Sequence, residues 1–312
     1  MATGLTILQT NYWKHYNIQE KTCPRDKSFL KGICIMKVLI ACDSFKGSLS
    51  SAEVCEIISK ALTSANVNTI SCPIADGGEG TLDAFRNALD CQTITTTVHD
   101  PLMRKISAQY LIAEKTAIIE MAAASGITLL VKNELNPEIT STYGTGELIC
   151  HALENGCTKI LIGIGGSATN DGGKGCLEAL GAVFTDKNAK PLKHGGASLL
   201  ELKTTDLSGF RKIADYAELI IACDVTSTLF GKNGATNIFA RQKGADGTQI
   251  KNLENALIHF GEKSKEVLGK DYSHLPGTGA AGGLGFALVA FCGGKLTSGF
   301  DAVSNVLNLE EK

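Results

Sequence analysis

Much that would disclose a function directly is missing from this chain. No apolar run reaches the ~18 residues of a membrane-crossing helix, so a membrane protein is not expected. No basic run carries interleaved aromatics, and 30 Lys and Arg stand against 32 Asp and Glu for a formal charge of −2, which argues against nucleic acid as a partner. The 11 cysteines form no C-x-x-C pair and no metal-ligand spacing. In a chain of 312 residues that odd count points to reduced, mostly buried thiols and a cytoplasmic protein rather than a disulfide framework. His15, His99, His151, His194, His259 and His274 show no ligand spacing either. The Walker pattern of a P-loop is absent, as are fixed-period repeats and low-complexity linkers.

What the chain does have is glycine set among small polar residues. The most concentrated stretch is Lys159-Ile-Leu-Ile-Gly-Ile-Gly-Gly-Ser-Ala-Thr-Asn-Asp-Gly-Gly173. Its Ile-rich opening has the length of a buried strand, and Lys174 to Leu180 can begin a helix. A strand that breaks into a glycine turn before a helix leaves backbone N–H groups open to an anion, most often phosphate. A structural turn needs few glycines, so Gly163, Gly165, Gly166, Gly172 and Gly173, with Ser167, Thr169, Asn170 and Asp171 between them, favour a site.

Residues 1 to 35 do not match the rest. They hold the only Trp, Trp13, and neither a secretory nor an acid-free transit pattern, and they read as an extension outside the fold. From Met36 the pattern alternates: a strand Val38 to Cys42, a helix capped near Ser50 with Val54, Ile57, Ile58 and Ala61 on one stripe, a strand Thr69 to Ile74, and a helix from Leu82 to Leu89. That order predicts a parallel α/β sheet whose ligands lie beyond the strands' C-terminal ends. Thr93 to His99, Ser107 to Ala113 and Thr116 to Glu120 are β-branched and closely spaced, which predicts a local antiparallel or mixed sheet. A helix over about 145–155, a strand over 217–223 ending in Asp224, and a helix over about 250–268 follow the same logic, while the region after Gly181 is weakly patterned.

Each polar cluster carries a candidate chemistry. In Asp43-Ser-Phe-Lys-Gly-Ser48 an acid past the first strand can take or orient a hydroxyl proton, and Lys46 can meet an anionic oxygen; a capping Asp beside a solvated Lys is the plainer alternative. Asp76 and Glu79 flank glycines closely enough to serve one Mg²⁺, or they are merely the acids of a helix start. Asp171 and Asp224 occupy positions where a carboxylate often has a task. Gly277, Gly279 and Gly282 spell G-x-G-x-x-G without a preceding strand, and Gly163, Gly165 and Ala168 spell G-x-G-x-x-A after one. The second keeps a nicotinamide-dependent oxidoreductase in view as an alternative function.

Taken together, the motifs resemble one family. Asp43-Ser-Phe-Lys-Gly-Ser-Leu49, Pro73-Ile-Ala-Asp-Gly-Gly-Glu-Gly-Thr81, Ile119-Glu-Met-Ala-Ala-Ala-Ser-Gly126, Gly144-Thr-Gly-Glu-Leu148, the Gly163–Gly173 turn and Gly277-Thr-Gly-Ala-Ala-Gly-Gly-Leu-Gly285 run in order as in the bacterial-type glycerate kinases. The resemblance implies ATP-dependent phosphorylation of D-glycerate with Mg²⁺. It also implies a flavodoxin-like domain, 36–92 and 286–312, interrupted by an inserted α/β domain, 93–285. For in-line phosphoryl transfer, Asp43, Lys46 and Asp171 are the expected catalytic groups. Ser44, Gly165, Gly166, Ser167, Asn170, Arg241, Lys243, Gly277, Thr278 and Gly279 are expected on substrate or phosphate, and Asp76 and Glu79 on the metal.

Two departures from the family pattern stand out. Lys232 and the run Phe239-Ala-Arg-Gln-Lys-Gly244 make their loops more cationic than usual, so Arg241 is an added anion contact. Family members also continue beyond Leu307-Asn-Leu-Glu-Glu-Lys312 by about a strand–helix–strand. This raises the expectations that the chain alone associates through an open sheet edge, as a homo-oligomer or an aggregate, and that it is a weak or inactive remnant.

Overall fold

The computed structural model describes residues 37–42, 45, 48–49, 51–71, 82, 85–86, 90–299 and 301–302. The chain divides into two compact units, 1–36 and 37–312, of which the first lies outside the described residues. Asp43, Ser44, Lys46, Asp76 and Glu79 also lie outside them.

β1 (Lys37–Ile40) and β2 (Asn68–Ser71) pair in parallel, joined by α1 (Ser51–Ser64). The buried stripe of α1 is not the expected one. Ser51, Val54 and Cys55 are buried, Ile58 and Leu62 half-buried, and Ile57 is 55% exposed. A step of 100° per residue carries 51, 54–55, 58 and 62 along one side and turns Ile57 and Ala61 outward.

A six-stranded sheet forms the body of the molecule. β3 (Gln92–His99) and β4 (Lys105–Ala113) make an antiparallel hairpin, and β5 (Thr116–Glu120) pairs antiparallel with β4, as the β-branched pattern predicted. The Asp100 carboxylate closes the hairpin by accepting from Leu102 N and Arg104 N at 2.8 and 2.9 Å. α2 (Ala122–Ser125) and α3 (Tyr143–Glu154) lead to β6 (Lys159–Gly163), which runs parallel to β5. α4 (Lys174–Ala179) follows, then β7 (Val183–Thr185) and β8 (Thr204–Asp206), a small antiparallel pair in the region that carried no pattern. β9 (Glu218–Ala222) returns to the sheet parallel to β6. α5 (Ala235–Phe239), α6 (Gly247–Leu268) and α7 (Ala280–Ala290) precede β10 (Lys295–Thr297), parallel to β9. The order is β10-β9-β6-β5-β4-β3, so the sheet runs past residue 285, where the sequence reading ended the inserted domain.

α6 starts three residues earlier than its apolar period suggests because Asp246 caps it. The carboxylate accepts from Thr248 N and Gln249 N, both at 2.8 Å, while Gln249 Oε1 takes Asp246 N at 3.0 Å. Gly269 at φ 70° ends it. Ile119, Ile162 and Ile221 bury one face of the sheet with Leu148, Leu257, Phe260 and Phe286. Ile118, Leu161 and Ala222 bury the other with Leu82, Phe85 and Ala302. Both faces of the central strands are covered, hence their unbroken apolar runs; each such Ile or Leu contributes roughly 1.5–3 kcal/mol.

Candidate active site

Three parallel strands finish level with one another. Glu120 of β5, Gly163 of β6 and Ala222 of β9 stand in register, and the chain segments leaving them diverge around a cavity of about 420 Å³. Divergence beyond the C-terminal ends of parallel strands is where an open α/β sheet holds its ligand. The turn Ile164-Gly-Gly-Ser167 forms one wall, Ala222-Cys-Asp-Val225 the next, and Phe239, Gln242, Lys243, Ala280, Ala281 and Ile127 complete it.

The turn is pinned at both ends and at the Gly166 carbonyl, which leaves the three N–H groups between free. Ile164 N extends the ladder to Ala222 O at 3.4 Å, Ile127 N donates to Gly166 O at 2.8 Å, and Ala168 N donates to Ser125 O at 2.9 Å. Among the described residues no acceptor engages the N–H groups of Gly165, Gly166 or Ser167. Gly165 and Gly166 are exposed, and Gly166 holds φ +73°, a conformation glycine reaches without cost. Such consecutive free donors suit a phosphate or carboxylate.

Lys243 supplies the positive charge. It sits on the 3₁₀ turn Arg241–Lys243, is 1% exposed, and its Nζ donates to Thr169 O at 2.6 Å. Burial pushes its pKa down to about 7, and nearby Asp171 only partly offsets this. An ammonium with donors to spare at the edge of a cavity is poised for an anion.

Other expected site residues are used elsewhere. Asp171 is fully buried and does not line the cavity. Its carboxylate accepts from Thr142 N and Thr142 Oγ1 at 2.9 Å, Gly173 N at 3.1 Å and Gly175 N at 3.2 Å. Burial raises its pKa against the pull of those donors and of Lys174. The protein's own carboxylate therefore occupies the start of α4, the helix end that the sequence reading offered to a ligand. Asn170 is buried and donates from Nδ2 to Thr236 Oγ1 at 3.0 Å. Thr278 Oγ1 donates to Leu275 O at 2.7 Å, while Gly277 and Gly279 are buried behind the wall. Arg241 is exposed and outside the lining.

Gly165, Gly166, Ser167 and Lys243 are thus brought together; Asn170, Asp171, Arg241, Gly277, Thr278 and Gly279 are not. Asp224, which the sequence marked only as an acid past a strand, lines the cavity. Phe239 and Gln242 lie in the run Phe239–Gly244, Ile127 directly follows the motif Ile119–Gly126, and Val225 follows Asp224.

A sequence profile of the Glycerate kinase family matches residues 38–312. The chain belongs to the glycerate kinase family. It is 47% identical over 280 residues to the Glycerate 2-kinase of Escherichia coli K12, covering 88% of this chain and 74% of that one. Against the Glycerate kinase of Halalkalibacterium halodurans it is 41% identical over 278 residues, covering 88% and 73%. The crystal structure of a protein assigned as glycerate kinase 2 from Salmonella typhimurium LT2 superposes with a TM-score of 0.82 at 42% identity, covering 88% of this chain and 76% of that one. The α/β architecture with a parallel-dominated sheet is shared with that family member. The oxidoreductase alternative finds no support among these relatives.

Proposed function

We propose that the chain transfers the γ-phosphoryl group of ATP to a hydroxyl of D-glycerate, with the cavity at the ends of β5, β6 and β9 as the site. One observation carries the reading: the family match spans 38–312 and so includes every residue lining that cavity. The free N–H groups of Gly165, Gly166 and Ser167 would hold phosphate or carboxylate oxygens, and Lys243 would neutralise them. Asp43, Ser44 and Lys46 follow β1 and are proposed on the substrate side.

Among the described residues no group of three or more His, Cys, Asp or Glu could cage a metal. Mg²⁺ asks for less, since it commonly takes one or two carboxylates with phosphate and water. Asp76 and Glu79 have the right donor chemistry and are proposed as its ligands; when bound, Mg²⁺ would offset phosphate charge. The name of the Escherichia coli relative supports O2 as the acceptor. A cytoplasmic location and the division into a flavodoxin-like and an inserted domain, with the return crossing after Thr297, belong to the same reading.

The test is ADP release coupled to D-glycerate, with phosphorus NMR of the product and a parallel NADH titration. Glycerate-dependent ADP with 2-phosphoglycerate is expected. NADH binding without phosphoryl transfer would reverse the assignment.

A further inference from the structure

The cavity holds a formal negative charge that the reading above leaves without a task. Among the described residues Asp224 is the carboxylate in its lining. β9 and β6 pair Ala222 with Gly163, so Asp224 and Gly165 each stand two residues beyond partners in one rung. Both segments line one cavity, so the acid and the free N–H groups of the glycine turn border the same ligand space. It is anchored on both sides: Cys223 N donates to Thr297 O at 2.9 Å, and Gly299 N donates to Asp224 Oδ1 at 2.9 Å. Oδ2 has no partner among the described residues, and the residue is exposed. A carboxylate with one oxygen fixed and the other open beside an anion turn is arranged to accept a proton. Asp171, with its several donors and no exposure, has no such oxygen.

We propose that Asp224 accepts the proton of the glycerate hydroxyl as that oxygen attacks the γ-phosphorus; this rests on the phosphoryl-transfer reading above. The O–H bond breaks and its proton passes to Asp224 Oδ2. The hydroxyl oxygen forms its bond to phosphorus with the electron pair left behind. The bond from phosphorus to the bridging oxygen breaks, and its pair leaves on ADP. Lys243 and Ser167, which line the same cavity, would hold the anionic groups in place.

Asp224→Asn in the full chain is the test, with melting temperature as the fold control. The expected result is a loss of about 10²–10⁴-fold in kcat with KM for ATP and D-glycerate little changed. Calorimetric binding of D-glycerate should persist, and formate should restore part of the turnover of Asp224→Gly. Unchanged kcat in Asp224→Asn overturns the proposal. So does a raised KM with intact kcat, or full recovery on adding Mn²⁺, which would make the residue a binding group or a metal ligand. Should the Asn variant fail to fold, Asp224→Glu against Asp224→Gln asks the same question: Glu should retain turnover that Gln loses, and equal turnover counts against the role. A wild type that releases no ADP with D-glycerate removes the underlying reading and this proposal with it, whereas an active wild type beside an equally active Asn variant removes only this one.

Discussion

The stretches Gly163–Gly173 and Gly277–Gly285 hold five glycines each, yet they use glycine for different ends. In the first, Gly165 and Gly166 are exposed on the cavity, and a Cβ on Gly166 would meet nothing nearer than Ala122 Cβ at 3.4 Å. In the second, the missing side chains make room for other backbone. A Cβ on Gly279 would lie 2.1 Å from Thr228 O, on Gly282 2.0 Å from Thr169 O, and on Gly285 2.4 Å from Gly277 O. Gly172 N donates to Gly282 O at 3.0 Å, so the second stretch is the bed on which the first rests. The first itself divides: Gly172 and Gly173 pack under Phe260 and Ala287, leaving only its opening to a ligand. Glycine density marks close backbone approach; whether the approaching group is a ligand or the protein depends on what lies across from it.

That contrast can be broken at graded cost. Gly282→Val should hit hardest, because its Cβ has no room and φ is +67°. A loss of more than about 4 kcal/mol is expected, read as collapse of the urea transition or of soluble yield. Asp171→Asn comes next at about 3 kcal/mol, since buried donors from Thr142, Gly173 and Gly175 lose their anion. Thermal unfolding should register it while the folded fraction keeps its turnover. Retained stability would mean that the acid is not the pin of the turn.

Lys243→Met should act in the opposite direction on stability. The folded pKa of about 7 lies below the ordinary 10.5, so the unfolded chain binds the proton more tightly. The cost of burying the charge is therefore full below about pH 7 and is relieved as pH rises toward 10.5. The gap corresponds to on the order of 5 kcal/mol, and loss of the bond to Thr169 O takes back part of it. A net gain of about 2 kcal/mol near pH 6, fading toward pH 10, is expected in denaturant titrations, together with weakened anion binding. Destabilisation at acid pH would show that Lys243 is there for the fold.

The sequence made part of this legible. The β-branched runs predicted β3, β4 and β5, and the Ile run before Gly163 predicted β6, because buried strands carry their signal in composition. α7 was hidden in a glycine run: Ala281, Gly282 and Gly283 hold positive φ at its start, a geometry that no helical period encodes. β7 and β8, three residues each, were too short to alternate visibly. Of the residues that the chemistry of the sequence put forward, Gly165, Gly166, Ser167 and Lys243 line one cavity. Asp171 could not be placed from sequence for a physical reason: an acid that satisfies a helix start and an acid that meets a substrate read alike, and only the fold shows this one buried against Thr142, Gly173 and Gly175. Asp224 stands alone in the sequence, and only the fold brings it to the same cavity as the turn.

The opening of the glycine turn is the proposed seat of the anion, and the roles given to Lys243 and Asp224 follow from it. Gly166→Val probes this with little harm to the fold, as the position is exposed and forcing φ +73° on a side chain costs about 1–2 kcal/mol. The measurement is calorimetric titration of a non-hydrolysable ATP analogue and of D-glycerate into wild type and variant, with melting curves alongside. Wild type should bind both, and the variant should lose at least about tenfold in affinity for one of them, or about 1.4 kcal/mol, while melting within a few degrees of the parent. Equal affinities for both ligands in a folded variant would contradict it.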